Sequence, residues 1–455
     1  MGLALQRKRL LYNTALLTGS SLLMSCIGMA FQVWLVGRIG AAGIGLYQLV
    51  CSVGNLCATF AISGIRFATT RLVAEELGYA NTMCIRSAMR RCLVYGSIFG
   101  FSAAAVLYFL AEPLGFLWIG DARTVMSLRI SSLSMPCISL CAVFSGYFTA
   151  CGRIWKPSLI HLIEQLLGIA LVAFFLKSAP MGDIEKSCAA VTLGGLATDL
   201  LSLLMMALAC AHDRRRHFEG AAGGEQLTRR MLKIAVPLAV SAYARSALTT
   251  MQNLLVPRGL KAAGYSADGA LSGYGTIQGM VLPILLFPSC IMASLGELVV
   301  PELTESQVQN DQRGIRRSVR SLISTSVRFS LAVAAFLFLF ADKLGVVIYK
   351  SSDAGFYIRI LAPLIPIMYT DMTIDGCLKG LGQQVWSMGF NIVDGAVGLL
   401  LVWWLLPIHA LRAYIFILYF TEILNFLLSV GRLTKICRTS PFSTKSLFDK
   451  SPPPA

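Results

Sequence analysis

Glu164 stands in an otherwise apolar run, IHLIEQLLGIALVAFFL (160–176), with His161 three residues before it and Gly168 four residues after it. Residues at i, i+3 and i+7 share one face of a helix, so an imidazole, a carboxylate and a gap without a side chain line up. Asn391, Asp394 and Gly398 repeat that spacing 230 residues later. A carboxylate among apolar residues can hold a small cation or a proton, or it can clamp neighbouring helices through hydrogen bonds. The spacing leaves both readings open. An ionisable group at the centre of a bilayer costs about 2.5–3.5 kcal/mol or more, so these acids must face protein or water.

Arg245 lies inside PLAVSAYARSALTTMQNLLVP, and the aligned stretch of the first half has no basic residue. Its guanidinium either closes an internal ion pair or faces a cavity that takes an anion, and its planar fork of donors suits phosphate. Asn55, Asp199, Asp371, Asp375 and Glu422 are further polar groups in apolar stretches. Asp371 and Asp375 are one helical turn apart and align with Cys141 and Ser145, so acids concentrate in the second half. The four histidines lack metal-ligand spacing, and the thirteen cysteines contain no CxxC pair. The cysteines read as small packing residues.

The elements that carry these groups cross a membrane. Hydrophobic residues make up 56% of the 455, charged residues only 14%, and the mean hydropathy is +0.69. Apolar stretches of about 20 residues, enough for a ~30 Å hydrocarbon core, recur along the chain. Twelve spans are expected, at 10–36, 43–65, 92–111, 128–150, 157–177, 188–211, 232–257, 272–298, 322–341, 359–380, 386–406 and 411–431. All should be helices, because lipid cannot satisfy an open sheet edge. The fold class is therefore an all-α polytopic membrane protein. Prolines 237, 283, 288, 363 and 366 should interrupt the seventh, eighth and tenth spans.

The formal charge of +16 would point to nucleic acid in a chain without spans. Here Arg7, Lys8 and Arg9, Arg214 to Arg216, and Arg313, Arg316, Arg317 and Arg320 all fall on the side of the termini. By the positive-inside rule, both termini are expected in the cytoplasm of a bacterium, with the chain multi-pass in its plasma membrane. No nucleic acid is expected as a partner. Membrane lipids are.

Sliding the chain by 230 residues superimposes Leu114-Gly115 on Leu344-Gly345, Arg129 on Arg359, Pro136 on Pro366, Gly146 on Gly376 and Gly152 on Gly382. Offsets of 220 and 227 align the earlier part, QVWLVGR (32–38) with QNLLVPR (252–258) and Glu75 with Glu302. The chain thus reads as an N-lobe at 1–212, a cytoplasmic linker at 213–230, a C-lobe at 231–437 and a disordered tail at 438–455. Six spans per copy make the repeats parallel, an architecture that places a substrate between lobes. Arg66 and Arg71 in one lobe, and Glu297 and Glu302 in the other, are expected to close a cytoplasmic gate.

Two six-span lobes, the connections SGYFTACGRIWKP and DGCLKGLGQQVWS, and the turn PRGLKAAGYS resemble the multidrug/oligosaccharidyl-lipid/polysaccharide (MOP) flippase superfamily, in its polysaccharide-synthase branch, over residues 8–437. The resemblance implies a transporter rather than an enzyme, rocking between inward- and outward-open states around a central cavity. It implies a polyprenyl-diphosphate-linked oligosaccharide as cargo, a peptidoglycan precursor among the candidates, with Arg245 receiving the diphosphate and the chain acting as a monomer. Sodium at Asn391 and Asp394, with Glu422 nearby, would follow some relatives; no other cofactor is implied, and protons or the membrane potential are alternative couplings. The first span offers Asn13 and Gln32 where drug exporters carry an acid. Asp371, Asp375 and Glu422 would instead suit a cation-coupled exporter of organic cations. A polysaccharide polymerase or ligase would call for a large loop bearing catalytic residues, and every loop on the outer side is short.

Overall fold

A computed structural model describes residues 2–78, 82–153, 155–178, 182–214, 226–309 and 311–438. Every regular element among them is a helix. The first half comprises α1 (Gly2–Ile62), α2 (Ile65–Gly78), α3 (Thr82–Pro113), α4 (Val125–Ala150), α5 (Trp155–Lys177) and α6 (Ile184–Arg214). The second comprises α7 (Gln226–Ala262), α8 (Ala267–Gly275), α9 (Leu282–Leu286), α10 (Ser289–Val308), α11 (Gln312–Tyr349), α12 (Ser352–Leu361), α13 (Ile365–Gly380) and α14 (Gln384–Arg438). Of the linker, residues 215–225 lie outside the described residues, as does the tail from 439.

Nine helices among the described residues are long and apolar enough to cross a membrane. Two of them, Leu22–Leu77 and Gln384–Cys437, run to 56 and 54 residues, more than twice the roughly 20 that one crossing needs. The first is broken at Gly40 (φ 72) and again at Ser63 and Gly64 (φ 44 and 70), the second at Ala410 (φ 50). Gln32 donates to the Gly279 carbonyl at 2.9 Å, and Ile44 packs where a Gly279 side chain would be. A straight helix would hold those two residues about 18 Å apart, so the chain turns back at Gly40.

Proline interrupts the eighth and tenth spans as expected and fails to interrupt the seventh. Span 272–298 is no single helix: a wide-turn segment, Thr276–Val281, separates α8 from α9, and the chain breaks again at Phe287 and Pro288 before α10. Pro283 and Pro288 lack the N–H that would continue the ladder. By contrast α7 runs unbroken through Pro237 and Pro257, a correction to the expected interruption of the seventh span. Neighbouring helices can satisfy the freed carbonyls within a membrane. Span 359–380 is divided between α12 and α13 by a tight turn at Ala362–Leu364.

The internal repeat is visible as repeated contacts. Arg129 pairs with Glu112 at 2.6 Å, and Arg359 pairs with Asp342 at the same distance, both partners displaced by 230 residues. Gly152 and Gly382 close the ends of α4 and α13 with identical φ of 68. Each donates its N–H to the carbonyl three residues back, at 3.1 Å.

The two halves meet along α7. At the end of the bundle bearing the termini, Leu227, Met231 and Ala235 join a core built otherwise from the first half. At the opposite, distal end one apolar cluster draws on both halves, with Leu35, Ile44 and Leu46 against Leu260, Leu271 and Ile277. Lipid offers no hydrophobic gain to helices that associate, so close packing over small residues supplies the attraction. Gly45 and Gly275 provide it here: a Cβ on Gly45 would collide with the Leu271 carbonyl, and one on Gly275 with the Ala41 carbonyl. Alanine at Gly45 or Gly275 is therefore expected to strain this arrangement by roughly 1–3 kcal/mol and part the distal ends. Thiol labelling of Asn55→Cys from the distal side should rise in either variant, and unchanged labelling would rule out the contact as a seal.

Candidate functional site

In the first half, a cavity of ≈ 190 Å³ is lined by Ile62, Arg66, Cys141, His161, Glu164, Asp199 and Ser202, among others. Glu164 accepts a hydrogen bond from Ser202 at 2.8 Å and pairs with His161 at 3.0 Å, so α5 and α6 are stapled where the sequence places a polar face. Asn55 is exposed and lies seven residues before Ile62, hence on the same face of α1. Arg66, expected at a gate, lines this cavity. Arg71 pairs with Glu75 of its own helix at 2.9 Å. The side chains of Glu297 and Glu302 lie outside the described residues.

The second half carries the related constellation with acids at more positions. Asp371 is 7% exposed and accepts from Asn425 at 2.9 Å through Oδ2. Its Oδ1, the Asp394 Oδ1 and the Asn425 Oδ1 are buried without a hydrogen-bond partner. Glu422 lies within electrostatic reach of Asp371 and Asp394. Asp375 is engaged otherwise, by Lys379 at 2.6 Å and by the Ser387 hydroxyl. Asn391 donates to the Ser387 carbonyl at 2.9 Å. Asp371 aligns with Cys141, and since Gly168 faces Thr198 as Gly398 faces Thr421, the same 223-residue step sets Asn425 against Ser202 and Glu422 against Asp199. Among the described residues, no trio of His, Cys, Asp or Glu is arranged to hold a metal ion.

Arg245 is exposed. Among the described residues no carboxylate lies within 4.0 Å of it. The contacts of α7 fix its direction. Leu248 and Gln252 meet Gly395 of α14, Gln252 through a 3.0 Å hydrogen bond. Arg245, at i−3 and i−7 from those two, therefore shares their side. Tyr243, Thr250 and Asn253 point the other way, to Ser63 and Ser52 of the first half.

A second constellation at the distal end carries no sequence signature. Arg123 binds Asp121 at 2.8 Å and reaches across the halves to Asp268 at 2.7 Å. Lys261 donates to the Gly120 carbonyl at 2.9 Å. Burial of Asp121 opposes its ionisation, but hydrogen bonds from the Arg123 side chain and amide outweigh it and hold the carboxyl below its ordinary range. Near the termini, Asp213 is clamped by Arg153 and by Lys156 at 2.9 Å.

A model of the family described as polysaccharide biosynthesis protein matches residues 10–295. The chain belongs to that family. Its family likeness extends to stage V sporulation protein B of Bacillus subtilis (strain 168), 23% identical over 396 residues, which cover 86% of this chain and 76% of the relative. Among solved structures, the lipid II flippase MurJ in an inward closed conformation matches with a TM-score of 0.71 at 14% identity, covering 92% of this chain and 87% of MurJ. The inward-facing conformation of a multidrug resistance MATE family transporter of the MOP superfamily matches at 0.69 and 16% identity, covering 92% and 96%. The polysaccharide biosynthesis chain thus has the fold of these superfamily members.

The Arg123 bridge is expected to behave as a latch. Asp268 is largely exposed, so Asp268→Asn should cost no more than about 1 kcal/mol, at most roughly a fivefold shift toward distal opening. Asp268→Arg sets like charges together and should shift it further. Because the Asp121 carboxyl is held low, its arm is complete above the ordinary carboxylate range and is lost only as pH falls through the lowered value. The increase in distal labelling caused by Asp121→Asn at pH 7 should therefore be as large at pH 5; an increase that vanishes at pH 5 contradicts this.

Proposed function

We propose that the chain is an alternating-access flippase that moves a polyprenyl-diphosphate-linked oligosaccharide from the inner to the outer leaflet of a bacterial plasma membrane, a peptidoglycan precursor being the favoured cargo. The observation that carries this reading is Arg245, an exposed guanidinium with no described carboxylate partner, on a helix that joins the two halves. A diphosphate leaving water loses hydration, and a fixed fork of N–H donors replaces it with charge-assisted hydrogen bonds. Family membership and the flippase and transporter neighbours support the same class. With both termini in the cytoplasm, the distal end is the outer one, and Gly45, Gly275 and the Arg123 latch hold it shut while the cavity is loaded. The chain needs no second copy for this cycle.

The buried oxygens without partners on Asp371, Asp394 and Asn425 support coupling of this cycle to a cation, since oxygen-only donors suit a hard cation such as sodium. Asp394, Asp371 and Asn425 would hold it, with Glu422 adding charge and Asn391 closing one side. Binding there would neutralise the carboxylates and couple the ion to the movement of α14 against α7. Protons would serve the same residues. A second reading, export of organic cations, is favoured by the Glu164 and Asp199 cavity.

Transport of a lipid diphosphate in vesicles tests the choice. Activity should fall in the order Arg245, Arg245→Lys, then Arg245→Ala or Arg245→Gln. The alanine variant should lose roughly 10- to 100-fold, the worth of a hydrogen bond to a charged group. Wild-type rates in Arg245→Ala would remove the anion site and put organic-cation export first. Asp394→Asn should abolish sodium dependence while leaving insertion and folding intact; retained dependence would exclude Asp394 as the coupling group.

A further inference from the structure

The junction of α3 with α7 has a surface that the transport cycle leaves unused. Two adjoining cavities, ≈ 460 and ≈ 420 Å³, share Arg90, Val94 and Ile98 of α3. Arg86 lines the first, and Arg91, Thr228 and Leu232 line the second. Arg86, Arg90, Val94 and Ile98 fall at successive i+4 steps, so they form one stripe along the helix. Its two cations lie toward the termini and its two apolar residues toward the bilayer centre. Val94 and Ile98 are 53% and 61% exposed. Arg91 donates to Thr228 at 2.7 Å, which joins the halves at the rim. No described carboxylate lies within 4.0 Å of Arg86, Arg90 or Arg91.

The stripe has the layout of a lipid. From Arg90 to Ile98 is about 12 Å along the helix, against roughly 15 Å for the hydrocarbon of one leaflet. It also faces away from the cargo site. Leu232 and Arg245 are thirteen positions apart on α7, which at 3.6 residues per turn sets them about 140° apart around the helix.

We propose that the α3–α7 groove binds one anionic phospholipid of the inner leaflet, its phosphate held by Arg86, Arg90 and Arg91 and an acyl chain lying along Val94, Ile98 and Leu232. This rests on the cytoplasmic placement of the termini given above, not on the identity of the cargo. Charge complementarity selects the occupant: three clustered guanidiniums without described acids, at the depth where the headgroups of that leaflet sit. Because the groove has one wall from each half, the bound lipid ties α3 to α7 in the arrangement seen here.

The test is lipid binding to the delipidated full-length protein, read by native mass spectrometry with phosphatidylglycerol and phosphatidylcholine as probes. Phosphatidylglycerol should bind the wild type more tightly than phosphatidylcholine. Each single change, Arg86→Gln, Arg90→Gln or Arg91→Gln, should weaken it about fivefold, and the triple variant on the order of a hundredfold. A triple Arg→Lys variant should retain most of the binding, and Arg313→Gln with Arg317→Gln should leave it unchanged. Equal phosphatidylglycerol binding by the wild type and the triple glutamine variant would overturn the proposal. So would displacement of phosphatidylglycerol by an equimolar lipid diphosphate, which would give the groove to the cargo. Transport is not part of this readout, so failure of the flippase reading would leave the binding result standing.

Discussion

The arrangement of the two halves depends on how closely two backbones approach at Gly45 and Gly275. Neither residue has a side chain to separate α1 from α8, and any Cβ there would meet a carbonyl. In lipid such contact is what holds helices together, since burying apolar surface gains little. Around it gather the apolar cluster shared by both halves, the Gln32 hydrogen bond to Gly279 and the Arg123 bridge to Asp268. The attachment is concentrated at the distal end on the α1–α8 side, while α7 keeps contact with the first half along its length.

Electrostatics divide the interior unequally. The first half uses Glu164 in a satisfied network with Ser202 and His161. At related positions the second half substitutes Asp371 and Asn425 and leaves buried oxygens unpartnered. The repeated scaffold thus carries a hydrogen-bonded acid in one half and buried oxygens without partners in the other. Arg245 sits on the α14 side of α7, so this cation and the acids belong to the same half of the molecule. An exposed guanidinium can meet an anion, and unpartnered carboxylate oxygens on other helices of the same half can meet a cation.

Much of this was legible in the chain because the informative residues have strict roles. Gly152, Gly382, Arg129 and Arg359 are matched at a fixed offset, and the structure gives each pair the same turn or ion pair. Embedded acids were legible too, since an apolar run exposes them at once. The reversal at Ala410 falls in the gap between the expected spans 386–406 and 411–431, beside Pro407 and without a glycine. Pro237 misled, as a membrane helix can pass through proline without breaking. The latch was invisible: Arg123 and Asp268 are separated by 145 residues, one in a short turn and the other in the first turn of α8, and only the packing of the halves brings them together.

The central claim is that cargo leaves only when the distal contact parts. It is tested most directly by cysteines at Arg123 and Asp268 in a chain whose own cysteines are replaced, joined by a short cleavable thiol cross-linker and reconstituted with a lipid diphosphate. Delivery of the diphosphate to the distal leaflet should stop when the cross-link forms and return when it is cleaved. Delivery at the uncross-linked rate with the link intact would contradict the account.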